Sequence, residues 1–179
     1  MDGGKIVVRY AKAFYGFIKE KGVLKTVIKD IENILVLFDE QEFVNFLNNI
    51  LIKPSKKVNV INEILKGKVD DSILKFIQLI VENRKELYLK RIFIYVLDLY
   101  NEEENIKKAK LISAYPLDEE IKSKLKKVLY NNFNYNFIFE EKVDKKIIGG
   151  FILNIDDLLI DASVKSTLNK LKRELLTNK

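Results

Sequence analysis

The sequence predicts an α+β protein in which an N-terminal six-helix bundle precedes a small α/β domain with about four short strands and two helices. Three observations predict this class. Apolar residues recur every three or four positions in six successive segments before residue 105. Beyond that point, two-residue alternation and turn-rich pairs appear. A chain of 179 residues with 47% hydrophobic content can also build a substantial core. We therefore expect two domains, residues 1–105 and 106–179, separated by the acidic stretch at 102–105.

The six predicted helices have short connections and recognisable ends. Gly22 ends the first helix, Pro54 suits the first turn of the fourth, and Gly67 ends the fourth. Asp70 and Asp71 lie where acids favour the start of the fifth. The helices are expected at about residues 6–21, 23–38, 41–50, 54–66, 70–84 and from 87 to beyond 100.

The first and fifth helices are apolar over a wider arc than one buried face requires. At about 100° per residue, Tyr10, Ala13 and Phe17 lie at or near the polar face of the first helix. Leu79 falls among polar residues of the fifth, with Phe76 close by. Either both helices are central in the bundle, or their outer edges form a groove for an amphipathic helix from a partner protein.

The C-terminal part begins with alternation typical of a strand at 107–115, which Pro116 ends. Asp118 can cap a helix with Ile121, Leu125, Val128 and Leu129 facing inward, and a second strand is expected at 137–143. The lysines of this helix are expected to be solvated, with nucleic-acid contact as the alternative. They lie at positions 122, 124, 126 and 127.

Residues 143–164 predict a strand, a tight turn, a second strand and a helix. The turn is expected at Asp156 and Asp157, between two apolar runs, and Asp161 and Ser163 are expected to cap the last helix. Gly149 and Gly150 are expected to permit positive φ or close backbone approach where a strand begins. A phosphate loop would need further glycines and a Lys-Ser or Lys-Thr pair that opens a helix. The closing helix places Val164, Leu168, Leu171 and Leu175 on one face.

Composition lowers the expectation of catalysis. The chain has no cysteine and no histidine, so a cysteine nucleophile, thiolate ligands, the commonest general base and the favoured transition-metal ligand are missing, and we expect no cofactor and no metal. No apolar run approaches the ~20 residues of a membrane-spanning helix, and the N-terminus does not resemble a signal peptide, which favours a cytoplasmic location. The net charge of +6 is uneven, because residues 106–179 hold 15 basic and 10 acidic side chains.

Four stretches, taken together and in order, resemble the delta subunit of the bacterial F-type ATP synthase, the family of the oligomycin-sensitivity-conferring protein. They are RYAKAFYGFIKEKG at 9–22, FIQLIVENRKELYLKRIFIYVLDLY at 76–100, AKLISAYPLDEE at 109–120 and VDKKIIGGFILNIDDLLIDASVKSTLNKLKREL at 143–175. The chain departs from the family pattern at Ile147, Asp156 and Ala162.

The resemblance implies a structural connector and no enzyme: a peripheral-stalk subunit that links the catalytic head to the stator and resists rotor torque. It implies that the helical domain holds the N-terminal helix of an alpha subunit and that the C-terminal domain holds the end of the b-subunit stalk. It also implies one copy per complex, a monomer in isolation, and peripheral attachment at the cytoplasmic face of the bacterial cell membrane, without nucleic acid. The alternatives are a helical adaptor or nucleic-acid-associated protein that uses the basic C-terminal half, and a phosphate-handling enzyme around Gly149 and Gly150.

Overall fold

A computed structural model describes residues 3–177, except for the side chain of Thr177. The described chain contains eight α-helices and a four-stranded sheet, which confirms the mixed α+β class. It divides into two compact units between Tyr100 and Asn101, a few residues before the expected boundary.

The first unit contains five α-helices and all but the last three residues of a sixth. They are α1 (Gly3–Glu20), α2 (Leu24–Leu37), α3 (Gln41–Asn48), α4 (Pro54–Leu65), α5 (Asp71–Glu82) and α6 (Leu89–Glu103), with a short 3-10 turn at Glu86–Tyr88. Their apolar faces share one core that includes Ile18, Ile31, Ile73 and Phe93, each fully or almost fully buried. Asp70 caps α5 by accepting a hydrogen bond of 2.7 Å from the Ser72 backbone amide.

One expectation in this unit is wrong. Ile50 does not continue the buried stripe of α3, because the helix ends at Asn48 and Ile50 is 84% exposed. The side chain of Asn49 accepts a hydrogen bond from the Leu51 amide, a local turn that competes with further helix.

The second unit holds β1 (Ile106–Ser113), α7 (Glu119–Phe133), β2 (Asn136–Val143), β3 (Gly150–Ile155), β4 (Leu158–Ser163) and α8 (Val164–Thr177). The sheet order is β2-β1-β3-β4, with β1 parallel to β2 and antiparallel to β3. Its core contains Ala109, Leu111, Leu129, Phe137 and Leu153. A right-handed crossover through a helix is the usual route between parallel neighbours, and α7 supplies the connecting helix here.

The β3–β4 hairpin agrees with the sequence prediction. Ile155 pairs with Leu158, so Asp156 and Asp157 form the two-residue connection, and Asp156 adopts a φ of 50°. In α7, by contrast, two predicted inward positions are wrong. Ile121 and Val128 are about half exposed, whereas Leu129 is buried, and Asp118 makes no side-chain capping hydrogen bond. The helix therefore buries a narrower stripe than its apolar residues indicate.

Candidate helix-binding groove

The outer edges of α1 and α5 enclose an apolar groove of about 470 Å³. All five residues predicted to form it contribute to its lining: Tyr10, Ala13, Phe17, Phe76 and Leu79. Phe17 and Leu79 are 49% and 47% exposed, so each presents half of a large apolar side chain to solvent. An open apolar concavity of this size is typical of a surface that receives another apolar group.

Stacked aromatic rings form the floor of the groove. The ring centroids of Phe14 and Phe76 lie 4.0 Å apart with planes inclined by 13°, and Phe76 also contacts Phe93 of α6, with centroids 6.2 Å apart. Phe14 and Phe76 are buried, at 3% and 7% exposure. Phe76 therefore serves the core as well as the groove, and its rigidity gives the groove a preformed base.

The helices run antiparallel along the groove. Near the end of α1, Lys21 donates a hydrogen bond of 2.7 Å to the Ser72 hydroxyl at the start of α5, and its ammonium lies 3.6 Å from Asp70. Hydrogen bonds from Ser72 hold the pKa of Asp70 below its usual value, with the Lys21 charge as a smaller cause. This polar cluster connects α1 and α5 at one end of the groove.

Four further residues line the groove that the sequence did not predict there: Arg9, Phe14, Ser72 and Lys75. The signal that could have found all four is helical spacing. Arg9 precedes Ala13 by four positions, Ser72 precedes Phe76 by four, Lys75 precedes Leu79 by four, and Phe14 follows Tyr10 by four. Residues four apart share a helix face, so a groove lined by one member of a pair is bordered by the other.

The predicted motif residues of the second unit position helix α8. Gly150 has a φ of +73°, and a Cβ placed there would lie 2.2 Å from the Ala162 carbonyl oxygen. A Cβ on Gly149 would lie 3.0 Å from Val164, whose amide donates a 3.0 Å hydrogen bond to the Gly149 carbonyl. The backbone thus requires small residues where the sheet meets the helix.

Asp161 and Ser163 cap α8 as the sequence predicts. Ser163 Oγ accepts a 3.2 Å hydrogen bond from the Ser166 amide, while Asp161 accepts bonds from the Ser163 amide and the Ser166 hydroxyl. These bonds, the Ser166 hydroxyl first, lower the pKa of Asp161. Asp157 lies exposed in the hairpin turn and takes no part in the cap.

The apolar stripe of α8 faces solvent. Val164, Leu168, Leu171 and Leu175 are between 41% and 76% exposed. A helix with a strong apolar face is normally covered on that face. This stripe is therefore a second candidate interaction surface, separate from the groove.

Comparison with known proteins places these features in a family. Residues 6–175 match the family model described as "ATP synthase delta (OSCP) subunit". The chain belongs to this family. ATP synthase subunit delta of Clostridium botulinum strain Loch Maree is 30% identical over 94% of the chain and 94% of its own length. The subunit delta of Bacteroides fragilis is 29% identical over 98% of the chain and 96% of its own length.

A solved structure supports the fold assignment of this delta-family chain. A chain of the Toxoplasma gondii mitochondrial ATP synthase hexamer superposes with a TM-score of 0.62 and 23% identity, covering 94% of the present chain and 96% of that one. The chain is a structural, non-catalytic subunit of the ATP synthase peripheral stalk. Within residues 3–177, the structure contains no cluster of acidic side chains suited to a metal ion and no helix able to span a membrane.

Proposed function

We propose that this delta-family subunit joins two partners through two surfaces. The N-terminal domain, residues 1–105, acts as one six-helix bundle and binds the N-terminal helix of an alpha subunit in the groove between α1 and α5. The C-terminal domain, residues 106–179, holds the end of the b-subunit stalk through α8. One monomeric copy serves each complex, and the complex attaches it to the cytoplasmic face of the bacterial membrane.

The observation that carries the first assignment is the groove itself. Ala13 and the half-exposed Phe17 and Leu79 present apolar surface along two antiparallel helices, with the Phe14–Phe76 stack beneath. An amphipathic helix binds such a surface by inserting side chains spaced three, four and seven residues apart. Burial of apolar area stabilises the joint by roughly 25 cal/mol per Å², which requires no catalytic group.

Ala13→Asp tests this assignment. The side chain is exposed in the free protein, so the fold should be retained, whereas an occupant would have to bury the new carboxylate against apolar side chains. We expect binding of an alpha N-terminal peptide to weaken at least tenfold, or about 1.4 kcal/mol, in titration calorimetry. Lys12→Gln is the control, because it also lowers the net charge by one but lies outside the groove lining. If Ala13→Asp and the unmodified chain bind the peptide with equal affinity, the groove assignment is wrong.

The second assignment is supported by the exposed stripe of α8 and by its polar surroundings. Lys165 and Lys172 add positive charge beside that stripe, which suits a partner helix with acidic flanks. Leu171→Glu should weaken binding of the C-terminal part of the b subunit at least tenfold. Asn169→Glu makes the same change of charge on another side of the helix and should leave that affinity within about twofold.

Recovery of the complete assembly tests the function as a whole. A tagged chain expressed in its own host should be recovered from native membranes with alpha, beta and b subunits, at one copy per complex. Recovery with DNA or RNA in place of those subunits, and affinity that falls steeply with salt, would favour the nucleic-acid alternative.

A further inference from the structure

The groove carries two cationic side chains at its border. Arg9 of α1 and Lys75 of α5 both line it, although most of the lining is apolar. The Arg9 guanidinium lies 5.4 Å from the ring centroid of Tyr10, which holds it over the lining. Among the residues that the structure describes, neither Arg9 nor Lys75 has an ion-pair partner.

The register of the two helices places these cations on opposite walls and away from each other along the groove. Lys21 meets Ser72 at one end, Phe14 stacks on Phe76 in the middle, and Gly3 of α1 lies against the Tyr88 ring beyond the end of α5. On this antiparallel register, Arg9 stands opposite about residue 81 of α5. That is about six residues, or about 9 Å, from Lys75 along the groove.

We infer that the groove selects a helix with two carboxylates, one on each flank of its apolar stripe and about six residues apart. This rests on the proposed function, since it specifies the occupant of the same groove. Residues six apart in a helix are separated by about 120° around its axis, which puts them on the two sides of a stripe. The same spacing fits an occupant of either orientation. Reversing the direction of the helix exchanges its two ends and also its two flanks, so a carboxylate still lies opposite each cation.

The cations contribute selectivity more than affinity. The apolar lining cannot distinguish one amphipathic helix from another, because its contacts are non-directional. A carboxylate opposite each cation favours the correct occupant, and a lysine in either position places like charges together. Arg9 and Lys75 therefore determine register as well as identity, because a shift of one helical turn separates both pairs.

The test uses the full chain and an alpha N-terminal peptide, in which the acidic residues flanking the apolar stripe are changed to glutamine one at a time. Affinity is measured at low and high salt for the unmodified protein, Arg9→Gln, Lys75→Gln and the double variant. Lys12→Gln is the control of equal charge. Each groove variant should weaken binding roughly three- to fivefold at low salt. The affinity of Lys12→Gln should stay within about 1.5-fold of that of the unmodified chain. The affinity of the double variant should also depend less on salt concentration than that of the unmodified chain.

The decisive readout is coupling between protein and peptide. If Arg9 pairs with one carboxylate of the peptide, Arg9→Gln should not weaken binding further when that acidic residue is already glutamine. Lys75→Gln should likewise cause no further loss of affinity for the peptide in which the second acidic residue is glutamine. Binding that is insensitive to all these changes would overturn the carboxylate inference and leave the groove assignment standing. If the unmodified peptide does not bind the unmodified chain, the groove assignment fails and this inference fails with it.

Discussion

Gly150→Ala should destabilise the second unit, and the structure gives the size of the effect. The residue has a φ of +73°, which costs a side-chain-bearing residue about 1–2 kcal/mol. The added methyl would also lie 2.2 Å from the Ala162 carbonyl oxygen and 3.2 Å from Ser163 Cα, both backbone atoms of β4. Moving a paired strand adds about 1–3 kcal/mol, as overpacking does in a core. We expect a total loss of about 2–5 kcal/mol.

Gly16→Ala is the matched control, because it makes the same chemical change inside α1 at a site where the new methyl meets nothing within 4 Å beyond its chain neighbours and the helix's own backbone. It should stabilise the first unit by about 0.5–1 kcal/mol, since alanine is the better helix former. Because the two units can unfold separately, hydrogen exchange read by peptide mass spectrometry should accompany urea denaturation. Unchanged protection of β3 and β4 in Gly150→Ala would refute the steric argument.

Three further predictions concern polar and strained positions. Lys57 is 2% exposed, donates to the Leu47 carbonyl and pairs with Glu86, whose Oε2 is buried without a partner among the described residues. Lys57→Met should cost about 3–5 kcal/mol in urea denaturation, and adding Glu86→Leu should recover part of this loss. Asp70→Asn keeps a capping acceptor but removes the negative charge that Lys21 and the N-terminus of α5 favour, so it should lower the stability of the first unit by about 0.5–1 kcal/mol at pH 7. The pKa of Asp70 is lowered, so its contribution is present above pH about 4 and is lost as the pH falls through the folded-state pKa. The thermal midpoints of the two proteins should therefore converge on acidification. Ile148 is 59% exposed with a φ of 70°, so Ile148→Gly should raise stability by about 1 kcal/mol, and a fall would show that no strain resides there.

Local features were the most predictable from sequence. The Asp156-Asp157 turn, the Ser163 cap and the small residue required at position 150 each depend on a few neighbouring residues. The groove was one of two alternatives that the sequence left open, because apolar residues such as Ala13 and Leu79 near a polar helix face fit either a central helix or an exposed apolar edge.

Features that depend on tertiary packing were not predictable. Helical spacing from Ala13 and Leu79 indicates that Arg9 and Lys75 share their helix faces, but nothing local reveals that those faces converge beside an apolar concavity. Ile121 and Leu168 lie on apolar stripes like those of buried helices, yet the described chain leaves both about half exposed. Periodicity shows that a face is apolar, but the arrangement of neighbouring elements decides whether that face is covered.

The positive charge of the second unit is less available to nucleic acid than its composition indicates. Lys122 pairs with Glu119 and Glu141, and hydrogen bonds to both, Glu119 first, raise the pKa of Lys122. Lys124 pairs with Glu120, and Lys107 pairs with Asp156 at 2.6 Å. Neutralised lysines release few counterions from a polyanion, so these pairs reduce the steep salt dependence that nucleic-acid binding requires. Lys165 and Lys172 of α8 are in none of these pairs. An acidic helix that packs its apolar face on α8 would therefore still meet positive charge there, which favours the stalk assignment over the nucleic-acid alternative.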